Sequence, residues 1–210
     1  MQSPTNMFLL GIIANSPINP YEIVSRFEHN RYKQILGVAN SSIYANIRML
    51  HKKGYIEYFA QKDGLLPEKK MYSLTEKGVE ELKESIKAGL TGRHPDSLSF
   101  PVALLLMHHF TVDELLVFLE EHRSSLEPIV DQRKEEYEFV KSMQSDVPCI
   151  PNVSSALLVY YGAKSELDTV DCTIAALKGA KEWPQSTFDT DHVYSHHYIY
   201  VNQTRKSNKE

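Results

Sequence analysis

The chain has 210 residues, 42% of them hydrophobic and 24% charged, with a formal net charge of −4. This is the make-up of an ordinary globular protein, long enough for one large domain or two small ones. No apolar run reaches the roughly 18 residues of a membrane helix, the N-terminus has no basic segment of the kind that opens a secretory signal, and Cys149 and Cys172 have neither metal-ligand spacing nor the pattern of a disulfide framework. A reducing cytoplasm is therefore the expected location, with no membrane partner and no bound cofactor.

Charge is divided unevenly. Residues 1–91 carry twelve Lys and Arg against nine Asp and Glu, a net +3, and residues 92–210 carry eleven against eighteen, a net −7. A mildly basic front joined to an acidic back fits a nucleic-acid-reading domain attached to something else.

The first element is Met7 to Ala14, apolar nearly all round, which reads as a buried helix with Ser3 or Thr5 as its N-cap. Asn15-Ser16-Pro17-Ile18 breaks it. A second helix starts with Asn19 as N-cap and Pro20 in the first turn, where a missing amide costs nothing. Tyr21, Ile23, Val24 and Phe27 are its expected core positions, and Asn30 to Val38 reads as a turn. A third helix is expected over Asn40–Lys53, capped by Asn40-Ser41-Ser42. Its apolar stripe is Ile43, Ile47 and Leu50, and Gly54 stops it. Tyr55–Phe59 and Lys70–Leu74 read as strands joined through Asp63-Gly64 and Pro67. Thr75 caps a charged helix running to about Lys87.

Helix, helix, helix, hairpin, helix is the order of a winged helix-turn-helix domain. The third helix presents a small polar N-terminus, whose free amides and positive dipole suit a phosphate, and a major groove admits one helix. The DNA-binding set read from the sequence is Asn40, Ser41, Ser42, Tyr44, Asn46 and Arg48 in this helix, with Lys62, Lys69 and Lys70 on the hairpin. Tyr44 either reads DNA or packs under the wing. Lys52 and Lys53 read as a solvated helix end.

The segments Leu10-Gly11-Ile12-Ile13, Pro20-Tyr21-Glu22-Ile23, Ser42-Ile43-Tyr44-Ala45-Asn46-Ile47-Arg48-Met49-Leu50, Lys53-Gly54-Tyr55-Ile56 and Tyr72-Ser73-Leu74-Thr75-Glu76-Lys77-Gly78 resemble, in order and spacing, the PadR family of bacterial transcriptional regulators. Departures are Asn19-Pro20, where the family often has His-Gly, and Ala45-Asn46, where proline commonly precedes the alanine. The resemblance spans about residues 7–80. It implies a DNA-binding repressor that dimerises through long C-terminal helices and is released by a small, aromatic or phenolic effector held between the DNA domain and those helices.

Beyond a linker at Gly89–Pro95, a short buried helix begins at Pro101. Thr111-Val112-Asp113-Glu114 is a capping-box signature, opening a helical pattern to about Met143 that Pro128 kinks or restarts. Pro148 to Pro151 stops it, and Ser154 or Ser155 caps a last helix to about Lys178. Two such amphipathic helices need a partner surface, either a second copy of the chain or an intramolecular bundle. A homodimer suits a palindromic operator, with recognition helices roughly 34 Å apart. The tail holds Trp183, Phe188, Tyr194, Tyr198 and Tyr200 with His192, His196 and His197. It reads as an aromatic arm or half of an apolar effector pocket rather than a metal site.

The expected fold class is thus mainly α with a small β-wing. A winged helix-turn-helix domain occupies residues 1–90, and a helical dimerisation and effector domain with an aromatic C-terminal arm occupies 91–210. No phosphate loop, nucleophile motif or metal-ligand series points to an enzyme. The alternatives are a winged helix that binds protein in place of DNA and, last, an enzyme using Cys149, Cys172 or the tail histidines.

Overall fold

The computed structural model describes residues 2–29, 32–61, 68–143 and 150–183. Two compact units emerge within them. The first comprises residues up to Gly89 together with Arg93–Phe110, and the second comprises Leu90–Gly92 with Thr111–Trp183. Residues 93–110, which the sequence assigns to the C-terminal part, thus pack with the first unit.

Helix α1 (Pro4–Asn15) starts at Ser3, whose hydroxyl accepts the Asn6 amide at 3.4 Å. Eleven of its twelve residues are buried, more than a helix packed on one face would hide. The cover includes α6 (Ser99–Leu105) and Leu106, which joins it to the 3-10 turn Met107–His109: a Cβ built on Gly11 would stand 2.5 Å from a methyl of Leu106. Helix α2 (Pro20–His29) opens on a reciprocal cap, in which the Asn19 side chain accepts the Glu22 amide at 3.0 Å and donates to the Glu22 carboxylate at 2.6 Å. Phe27 of α2 meets Phe8 of α1 edge to face, with centroids 5.2 Å apart.

Tyr21 is a correction. Expected in the core, it is 77% exposed. The buried stripe of α2 is Ile23, Val24 and Phe27, and at 100° per residue Tyr21 lies about 120° around the helix from Phe27. The stretch read as a turn contains a one-turn helix α3 (Tyr32–Ile35). Helix α4 (Asn40–Lys52) follows, with Ile43, Ile47 and Leu50 buried as its spacing predicts.

Strands β1 (Ile56–Gln61) and β2 (Lys69–Leu74) form an antiparallel hairpin in the register Ile56–Leu74, Tyr58–Tyr72, Ala60–Lys70. Ile18 adds an isolated bridge, exchanging backbone hydrogen bonds of 3.0 and 2.9 Å with Tyr72. That tie joins the loop before α2 to the wing. Helix α5 (Glu76–Leu90) is capped by Thr75, whose hydroxyl accepts the Gly78 amide at 3.0 Å and donates to the Gly54 carbonyl at 2.7 Å. Gly89, expected in a linker, lies inside α5, where a Cβ would stand 2.8 Å from the Ser99 carbonyl oxygen. The glycine there serves close packing of α5 on α6.

The second unit is built on α7 (Val112–Ser142) and α8 (Ile150–Gly179). The predicted capping box is present: Thr111 accepts the Glu114 amide at 3.2 Å and the Glu114 carboxylate accepts the Thr111 amide at 2.9 Å. Helix α7 runs without interruption through Pro128. Helix α8 starts at Ile150, before Ser154 and Ser155, so neither serine caps it. The helices are antiparallel, as Arg123 to Asp171 at 2.9 Å, Lys178 to Glu120 at 3.1 Å and stacked Tyr137 and Tyr160 rings at 6.0 Å show. Leu115, Leu119, Leu126, Val130, Val170, Ile174 and Leu177 are buried. Toward the other end of the hairpin, Phe139, Ile150, Leu158, Val159 and Tyr161 are exposed, Leu158 by 74%. Of the tail only Trp183 is described. Phe188, His192, Tyr194, His196, His197, Tyr198 and Tyr200 lie outside the described residues, as does Cys149. Among the described residues no helix is long and apolar enough to cross a membrane.

Candidate nucleic-acid interface

A helix can read a groove only if one face is anchored and the other is free. Three apolar side chains, each worth roughly 1.5–3 kcal/mol on full burial, seat α4: Ile43 at 0%, Ile47 at 2% and Leu50 at 0% exposure. The opposite face carries Ser41, Ala45, Arg48 and Lys52 at spacings of four, three and four, all exposed, with Tyr44 at its flank. Ala45 in the middle keeps this face low, so the backbone could approach a ligand closely. Ser42 is exposed to one side, and Asn46 is half-buried.

The start of α4 differs from the expected capping. Its N-cap is Ala39, which supplies no side-chain hydrogen bond. The Asn40 side-chain Nδ2 instead donates to the Glu28 carboxylate of α2 at 2.9 Å, and Glu28 also faces Lys33 at 3.7 Å. Asn40 therefore ties two helices together. A carboxylate beside a helix N-terminus suits the dipole, yet it also places negative charge where a phosphate would approach.

The end of α4 matches its sequence signal. Gly54 adopts φ +74°, and the Gly54 and Tyr55 amides donate to the His51 and Leu50 carbonyls at 2.9 and 3.1 Å. This paired closure turns the chain from helix into strand. Gly78 then explains the glycine after Thr75-Glu76-Lys77: a Cβ on it would overlap the Tyr55 carbonyl oxygen. Lys77 completes the joint, donating to the Lys53 carbonyl at 2.8 Å and lying 4.8 Å over the Tyr55 ring.

On the hairpin, Lys69 and Lys70 are both exposed. The Lys70 ammonium lies 4.4 Å over the ring of Tyr58. Tyr58 in turn is 5.3 Å from the His51 ring and 5.8 Å from Tyr72. Lys62 lies outside the described residues. The structure thus brings Ser41, Tyr44 and Arg48 onto the free side of α4 and sets Lys70 on a wing attached to that helix. Lys52, His51 and Tyr58 belong to the same surface and were not in the set read from sequence. Lys52 had a legible signal, standing four residues beyond Arg48, whereas Tyr58 needed the strand register. Among the described residues no group of three or more His, Cys, Asp or Glu side chains could hold a metal.

Comparison with known proteins finds similar chains. Residues 9–84 match the model of the transcriptional regulator PadR-like family. Over 76 residues the chain is 32% identical to the negative transcriptional regulator PadR of Bacillus subtilis (strain 168), a match spanning 36% of this chain and 41% of that protein. Among solved structures it is similar to Bacillus subtilis PadR in complex with operator DNA, with 20% identity, 84% of this chain and 99% of that chain covered, and a TM-score of 0.38. It is also similar to Bacillus subtilis PadR in complex with p-coumaric acid, with 17% identity, 84% and 99% coverage and a TM-score of 0.35. A PadR-like transcriptional regulator from Bacillus cereus aligns at 16% identity, 84% and 97% coverage and a TM-score of 0.37. Residues 9–84 thus form a domain similar to that of the PadR-like transcriptional regulators, and the chain spans about two fifths of the length of the curated relative it matches.

Proposed function

We propose that the chain is a sequence-specific DNA-binding regulator, a repressor rather than an enzyme, that acts as a homodimer on a palindromic operator. The observation that carries this reading is the free face of α4, where Ser41, Tyr44, Arg48 and Lys52 stand exposed above a fully buried apolar stripe. Arg48 offers bidentate donors to a base edge or a phosphate, and Ser41 and Tyr44 offer hydroxyls. Ser42 and Asn46 flank that face, and Lys70 supplies a cation on the wing. Asn40 acts through Glu28 to set the angle between α2 and α4. The negative sign of regulation follows the 32% identical relative, which is named a negative regulator.

The dimer reading rests on the uncovered apolar residues Phe139, Ile150, Leu158, Val159 and Tyr161 of the second unit. A small aromatic effector is proposed on the family resemblance, and a phenolic acid that leaves operator affinity unchanged would count against it.

The test is a fluorescence anisotropy titration on the promoter duplex beside the chain's own gene, for the wild type and Arg48→Ala. Loss of an arginine contact to a base is expected to weaken binding by roughly 1–3 kcal/mol. Unchanged affinity in a folded Arg48→Ala variant would remove α4 from the interface and favour a winged helix that binds protein.

A further inference from the structure

Lys69 and Lys70 are adjacent in sequence, but they leave the wing on opposite faces. Residues directly opposed in an antiparallel pair share a face, and successive residues alternate. Ile56 and Leu74, Tyr58 and Tyr72, and Ala60 and Lys70 therefore form one face of the hairpin. Glu57 and Ser73, Phe59 and Met71, and Gln61 and Lys69 form the other.

The two faces have different surroundings. On the first, Ile56 and Tyr72 are buried, and the His51 ring of α4 sits 5.3 Å from Tyr58 and 6.2 Å from Tyr72. Lys70 continues this stack, its ammonium 4.4 Å from the Tyr58 centroid. His51 lies three and seven residues beyond Arg48 and Tyr44, one and two turns along the same side of α4. A continuous chain of contacts therefore links the exposed side of the helix to one cation on the wing. On the second face, Lys69 is paired with Gln61, past an exposed Phe59.

We infer that Tyr58 is a positioning residue that presents Lys70 to the phosphate backbone, and that Lys69 is not an equivalent contact. An ammonium over a ring face is attracted by the ring's quadrupole, while its N–H groups turned away from the ring stay available to a phosphate oxygen. Holding a long side chain in one arrangement before binding removes an ordering cost at binding. The inference rests on the DNA-binding reading above.

The experiment uses the full chain and the promoter duplex beside its own gene, titrated over a range of salt. Variants are Lys69→Gln, Lys70→Gln, Tyr58→Phe, Tyr58→Leu and the double Tyr58→Leu/Lys70→Gln, with thermal melts as the folding control. Lys70→Gln is expected to weaken binding about tenfold and to reduce the salt slope by about one. Lys69→Gln should leave both near the wild type. Tyr58→Phe keeps the ring and should bind as the wild type does, Tyr58→Leu should weaken binding, and the double variant should be no weaker than Lys70→Gln alone. Equal losses for the two lysines, or effects of Tyr58→Leu and Lys70→Gln that multiply, would overturn the inference. Should Tyr58→Leu fail to fold, the comparison of Lys69→Gln, Lys70→Gln and Tyr58→Phe still decides it. A wild type with no saturable, salt-sensitive binding would sink the DNA reading itself, whereas a binding wild type with equivalent lysines sinks the inference alone.

Discussion

At the scale of single residues, the joint between α4 and the wing is tightly constrained. Gly78 faces the Tyr55 carbonyl, which is backbone and has no rotamer to move aside. Gly78→Ala is therefore expected to cost about 3 kcal/mol, the upper part of the usual overpacking range, and chemical denaturation would read it. A loss below about 1 kcal/mol would mean that the joint can open. Glu28 makes the opposite kind of prediction. Its carboxylate holds Asn40 and stands near the start of α4, so Glu28→Gln removes repulsion toward DNA. Operator affinity is expected to rise while stability falls slightly, and weaker operator binding in a folded variant would contradict this. These two residues also show what the sequence conceals. Gly78 was visible as part of a motif, but its reason is a carbonyl more than twenty positions away. Asn40 looks like a cap by type and proves to be a tie between helices. Tyr21 looks like core by polarity and lies off the stripe.

At the scale of elements, the helices and the wing were legible because each carried its own signal. The reciprocal Asn19–Glu22 cap, the Gly54 closure, the Thr75 cap and the Thr111–Glu114 box all formed as their residue types imply. What failed were boundaries governed by packing. Gly89 continues α5 because α6 packs on it, and α8 begins at Ile150, ahead of the serines that resemble caps. The short turn after α6 has a consequence for pH. Burial, aided by the charges of His108 and Lys83, holds the His109 imidazole down to about 3, and burial also lowers His108. Both titrate near 6.5 when unfolded. Between those values the unfolded chain binds more protons. The stabilisation is thus complete above about pH 6.5 and is lost as pH falls toward 3, by up to about 1.4 kcal/mol per unit from His109. Denaturant midpoints at about pH 7 and about pH 5 should differ less in His109→Phe than in the wild type. An identical pH dependence would contradict the assignment.

At the scale of the whole molecule, the division of charge seen in the sequence separates a basic front from an acidic back. Among the described residues, the second unit also leaves apolar side chains exposed. Light scattering is expected to give twice the 24.1 kDa chain mass, and Leu158→Glu should convert it to a folded monomer with weakened operator binding. A wild-type monomer would remove the dimer from the account. The helical pattern of α7 and α8 does not reveal the use of these apolar positions, since one stripe serves an internal bundle and a dimer equally well. The central claim, that this chain reads DNA, is tested most directly by titrating the full chain against the promoter duplex beside its own gene, with an unrelated duplex of equal length as competitor and salt as the variable. The account predicts saturable binding that weakens steeply as salt rises and that the unrelated duplex displaces poorly. Binding that is absent, indifferent to salt, or displaced equally well by the unrelated duplex would contradict it.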